Sequence, residues 1–136
     1  MRLVAPPPSR TAVLLALAFG IAVPAVADDT VRFSRDLVPI LRTQCATCHL
    51  TGQEAGNLKL HPAAAHSSLI SIASIESPLQ RVKPGAPQES YLMHKLDGTH
   101  LDAGGSGDRM PFGAPPLDEA TRELFRRWIA AGARPD

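Results

Sequence analysis

Aromatic side chains are scarce here: they make up 4% of 136 residues, as four Phe, one Trp and one Tyr. Cysteine is scarcer, with two copies, which excludes a disulfide-dense scaffold and a four-cysteine zinc site. Charge of either sign is nearly balanced. The formal net charge is +1, which removes the electrostatic case for nucleic-acid binding. Long apolar runs are missing as well. Thr11 to Val23 spans 13 residues, against the roughly 20 that a membrane-crossing helix needs. What is plentiful is proline, with 13 copies, and glycine, with 10. The length allows one small domain rather than two. A small, proline-rich, aromatic-poor chain buries little surface, so it calls for an additional staple.

The N-terminus reads as a secretory signal. Arg2 and Arg10 supply positive charge, Thr11 to Val23 is the apolar stretch, and Pro24 breaks it. Ala25-Val26-Ala27 then matches a small-x-small cleavage site. Cleavage after Ala27 is expected, making 1–27 the signal peptide and 28–136 the mature domain. Removing 27 residues from 136 leaves 109, with 12 basic against 13 acidic residues and five aromatics. The expectation is an exported, periplasmic, near-neutral domain with no integral membrane span.

Within 28–136 the periodicity is helical, and no convincing alternating strand occurs. Ser34 or Asp36 is positioned to cap a helix to about Cys45, with Leu37, Ile40, Leu41 and Cys45 on one face. Thr51 to Leu60 reads as a loop whose Leu58 and Leu60 point inward. Pro62 opens a helix to about Ile72, and Pro87 another to about Leu96. Gly98 to Pro116 is a long loop. Asp118 caps a last helix over Glu119 to about Ala131, with Leu124, Phe125, Trp128 and Ile129 as its apolar stripe and Gly132 beyond its end. The fold class expected is all-α, a small domain of short helices and long loops.

Cys45-Ala46-Thr47-Cys48-His49 carries the chemistry. C-x-x-C-H is the attachment sequence for c-type haem. Two thiols three residues apart lie on one side of a single turn. From there they can form thioether bonds to the two vinyl groups on one edge of a porphyrin. The following His then falls beneath the iron as proximal ligand. A zinc site would need four protein ligands, and a thioredoxin-like pair would need a βαβ context. A plain disulfide would leave His49 unexplained. One motif implies one covalently bound haem c, held by Cys45 and Cys48 with His49 on the iron.

The distal ligand is sought among the remaining Met and His. Met1 leaves with the signal, and Met93 sits among Leu92 and Leu96, where core packing is the simpler role. Met110 lies in a Gly- and Pro-rich loop, between Arg109 and Pro111, where packing gives it little to do. A thioether is a soft ligand that favours reduced iron and raises the potential. Met110 is therefore the distal candidate. His61, His66, His94 and His100 compete, and His100 is the strongest because it lies in the same loop.

These pieces together resemble the planctomycete-type cytochrome c domain, within the class I c-type cytochrome superfamily. The likeness covers Phe33 to His49, Gly56 to Leu60, Val82 to Leu92, Arg109 to Leu117 and Trp128 to Ala133, in the family's order. The resemblance implies that Met110, before Pro111, is the distal ligand. It also implies that the terminal helix packs on the haem-bearing helix with Trp128 in the core, and that the domain wraps around one haem. Leu50 departs from the Gly usual after the motif, and Ala86 from the polar residue that often caps the helix opened by Pro87.

The function expected is a periplasmic carrier of single electrons, meeting other redox proteins transiently. The alternative is a haem-based gas or peroxide sensor, or a haem enzyme, in which the glycines beside Met110 let it leave the iron. A third reading is a docking module whose haem serves only folding.

Overall fold

The computed structural model describes residues 30–136. The signal segment 1–27 lies outside the described residues. Four α-helices carry the fold: α1 Val38–Gln44, α2 Ala65–Leu69, α3 Tyr91–Asp97 and α4 Glu119–Ala130. A wide turn, Phe33–Leu37, runs directly into α1. Single tight turns occupy Ala55–Asn57 and Pro87–Glu89. Among the described residues no strand forms beyond three isolated bridge pairs, such as Ile70 with Val82. The domain is mostly helical, as its periodicity implies.

The longest helix is the one with the clearest end signals. Asp118 accepts the Thr121 N–H at 2.7 Å, which satisfies one of the free donors of the first turn of α4. At the other end Gly132 takes a left-handed φ of 97°. The Ala133 N–H then reaches the Trp128 carbonyl and the Gly132 N–H that of Ile129, both at 2.9 Å, closing a Schellman turn. Between these caps Phe125, Trp128 and Ile129 are buried, each worth about 1.5–3 kcal/mol of transfer from water. Phe33 meets the Trp128 ring at 5.0 Å, so the last helix packs on the segment that leads into α1. Trp128 also donates its Nε1–H to the Arg134 carbonyl at 2.8 Å, which removes the polar cost of burying an indole. Leu37, Leu41, Leu60, Leu69, Met93 and Leu96 complete the core around this contact.

The other helices differ from their sequence outlines. Neither Ser34 nor Asp36 caps a helix start. Asp36 instead accepts the Arg32 N–H at 2.8 Å and pairs with Arg35. The Pro62 helix forms only over Ala65–Leu69, and Val82 then bonds back to Leu69. The segment opened by Pro87 breaks at Ser90, whose extended backbone separates a tight turn from α3. Ser90 is fully buried. Its hydroxyl accepts the Lys83 N–H and donates to the Ala86 carbonyl, each at 2.9 Å. A local alternative partner for the backbone ends the helix there.

Candidate functional site

Cys45 closes α1, its N–H bonding the Leu41 carbonyl at 3.1 Å. The chain then makes one further turn: the N–H groups of Cys48 and His49 both reach the Cys45 carbonyl at 3.1 Å. That turn sets Cys45, Cys48 and His49 along one side of a cavity of about 400 Å³. Pockets of roughly 300–1,000 Å³ suit small organic ligands. Leu41, Leu58, Leu60 and Leu96 supply apolar wall, and Met110 lines the same cavity with Pro111 and Phe112. All four residues singled out by sequence therefore face one space.

The donor set is uncommitted. Cys45 and Cys48 are free thiols. Burial pushes the Cys45 thiol up to about 11, so it stays protonated at neutral pH. Among the described residues no hydrogen bond holds the His49 ring, and its Nδ1 is buried without a partner. An orphaned buried nitrogen costs about 1–3 kcal/mol, and the Nδ1 of His100 is orphaned in the same way. The rival histidines are engaged elsewhere, and none lines the cavity. His61 Nδ1 accepts the Ala63 N–H at 3.3 Å. His66 contacts the Ala133 carbonyl at 2.8 Å, and His94 contacts Thr99 and Gln88. His100 is buried, with Nε2 at 2.8 Å from the Gly107 carbonyl. Among the described residues no group of three or more His, Cys, Asp or Glu could hold a bare metal ion.

The Met110 loop is held down at several points. The Met110 N–H bonds the Lys95 carbonyl at 2.9 Å. The Arg109 guanidinium reaches the carbonyls of Met110 at 3.3 Å and Ala114 at 2.7 Å. Gly105 lies so close to Tyr91 that an added Cβ would sit 2.4 Å from its hydroxyl. This glycine permits close approach rather than looseness. Phe112, 68% exposed, stands at the cavity's lip.

Three lining residues carry no signal in the sequence: Arg81, Lys95 and Glu76. Arg81 donates to the Ser68 carbonyl at 2.8 Å and the Gly56 carbonyl at 2.7 Å, and also to that of Asn57. No carboxylate among the described residues pairs with it, and burial lowers its pKa. Nothing in a single Arg between Gln80 and Val82 marks it beforehand.

Among the described residues no helix is long and apolar enough to cross a membrane. No family model, curated protein or solved structure matches the chain.

Proposed function

We propose that the chain is a covalent haem protein, a monohaem domain of the planctomycete cytochrome c type. Within that class its role is to carry single electrons between redox proteins of the periplasm. The observation that supports this reading is the convergence of two thiols, an uncommitted imidazole and a thioether on one apolar cavity, with the other histidines turned away.

In this reading Cys45 and Cys48 hold the haem edge as thioethers. His49 and Met110 would supply the protein's ligands to its iron. Haem c supplies a one-electron iron couple whose potential follows from its ligands, burial and hydrogen bonding. The chain's contribution is to fix those ligands and exclude water. The leucine wall lowers the local dielectric, which strengthens each charge and dipole aimed at the site. Arg81 would add a positive charge to the cavity wall, while its terminal N–H groups stay on the Ser68, Gly56 and Asn57 carbonyls. Other redox proteins are the partners, through small and transient contacts.

The anchoring of the Met110 loop favours the carrier over a sensor or haem enzyme, because those need the thioether to leave. The test is a spectrum and a redox titration of the exported protein. Expected are covalently retained haem, a sulfur-to-iron charge-transfer band in the ferric form, reversible one-electron titration and no carbon monoxide binding when reduced. Haem that washes out under denaturant would refute the assignment. Carbon monoxide binding by the reduced wild type would favour the sensor.

A further inference from the structure

Lys95 is buried to 7% exposure in the wall of the cavity. Buried lysine is rare, and a well-packed apolar residue of similar volume is often no less stabilising. This ammonium has three N–H donors, and three acceptors surround it. The Ser106 carbonyl lies at 2.6 Å, the Asp108 carbonyl at 3.1 Å and a Glu76 carboxylate oxygen at 3.4 Å. The Tyr91 ring covers it at 5.4 Å. The Tyr91 hydroxyl in turn bonds both the carbonyl and the N–H of Ser106 at 3.2 Å. At its other end the Lys95 backbone carbonyl takes the Met110 N–H at 2.9 Å.

One residue of α3 thus grips the 106–110 segment at both ends, by its ammonium and by its main chain. Glu76 ties the same point to the chain before Val82. We infer that Lys95 is the positioning residue that keeps the Met110 sulfur facing the cavity, with Glu76 and Tyr91 holding Lys95 in place. The inference rests on the haem reading proposed above. It goes further by naming what decides between a closed carrier and an open iron. Without the ammonium, two loop carbonyls and the Glu76 carboxylate lose their shared partner. The segment then keeps the Tyr91 hydroxyl at Ser106, His100 at the Gly107 carbonyl, the Arg109 guanidinium and the Met110 N–H, but no tie to Glu76.

The test compares wild type, Lys95→Met and Glu76→Gln as exported holoproteins. Two readouts are taken: the ferric sulfur-to-iron band and carbon monoxide uptake by the reduced form. Expected is a wild type with the band and no uptake. Lys95→Met keeps covalent haem, loses more than half of the band and takes up carbon monoxide, while Glu76→Gln falls between. A merely structural role would lower the unfolding midpoint and leave the band intact below it. A Lys95→Met holoprotein with a full band and no uptake overturns the inference and leaves the haem assignment standing. If Lys95→Met yields no holoprotein, Glu76→Gln decides, since it keeps the ammonium and both carbonyl bonds. Partial uptake then supports the inference, and a wild-type spectrum overturns it. A wild type that retains no haem overturns both readings together.

Discussion

A thioether in a loop and a thioether in a core answer to different forces. Met93 is 3% exposed among Leu96 and the other core side chains, so its worth is packing. Met93→Ala is expected to cost about 2–5 kcal/mol in a denaturant titration, with the charge-transfer band intact. Met110→Ala is expected to do the reverse. It should change the stability of the chain little, remove the band and open the reduced iron to carbon monoxide. The potential should fall by on the order of tenths of a volt, within the ~0.8 V range that axial ligands command. A Met110→Ala protein with wild-type spectrum and potential would remove Met110 from the site. Arg81 has a double role on this view. Arg81→Gln strips partners from the carbonyls of Ser68, Gly56 and Asn57, at about 1–3 kcal/mol. It also removes a cation from the cavity wall, so the potential should drop along with the unfolding midpoint. A potential that holds while the midpoint falls would confine Arg81 to bracing the loop. Cys45, Cys48 and His49 stand out in the sequence by residue type and local spacing and Met110 by its loop, whereas the cavity they share is visible only in the structure. Arg81 and Lys95 do not stand out, because their meaning comes from acceptors 11 to 25 positions away in the chain.

The elements show the same division between local and distant causes. The α4 boundaries could be read in advance, since Asp118 and Gly132 act within one turn of the helix ends they fix. The break at Ser90 could not, because it depends on Lys83 and Ala86 closing around a buried hydroxyl. The loop after His49 depends on Glu54 in a similar way. Its carboxylate takes the N–H groups of Thr51 at 3.0 Å and Gly52 at 2.8 Å, and the Thr51 hydroxyl at 2.8 Å. Chiefly through the Thr51 hydroxyl, these bonds lower its pKa from the ordinary 4.5 to about 2. A depressed carboxylate contributes stability that is present above its unfolded pKa and lost as pH falls through the folded one. The Glu54 contribution should therefore fade between pH 4.5 and about 2. Asp36, lowered from 3.8 to about 2 chiefly by Arg35, fades over the lower part of the same window. Unfolding midpoints measured against pH should show this acid limb, and Glu54→Gln should flatten it. An unchanged limb in Glu54→Gln would mean that the loop does not depend on the carboxylate. The loop adjoins the cavity through Ala55 and Gly56. Acid should thus loosen the His49 side of the site before the α4 packing fails.

For the whole molecule the decisive quantity is the cavity. A void of about 400 Å³, at ~24 cal/mol per Å³, corresponds to on the order of 10 kcal/mol of lost packing. A domain of this size has only about 5–15 kcal/mol in total. Cys48 and Phe112 are exposed at the margin, so one side is open and the loss is smaller. Half of it, about 5 kcal/mol, would still equal the whole stability of a domain at the lower end of that range. The shortage of aromatics gives the same answer from composition: Phe33, Tyr91, Phe125 and Trp128 are the buried aromatics among the described residues, and none stands in for a flat apolar group between α1 and the Met110 loop. A covalently held porphyrin would fill that space with the surface the side chains do not provide. Folding is therefore expected to depend on it. The double variant Cys45→Ala/Cys48→Ala should retain part of its far-ultraviolet helical signal, since the α4 caps are local. It should lose its near-ultraviolet dichroism and bind a hydrophobic dye, as a chain without fixed tertiary packing does. Single Cys45→Ala or Cys48→Ala proteins should fall between, with haem held by one thioether, and His49→Ala should yield little holoprotein. A haem-free chain with native-like near-ultraviolet dichroism and a cooperative unfolding transition would show that the cavity is tolerated. The haem would then be a passenger of the fold rather than the staple that completes it.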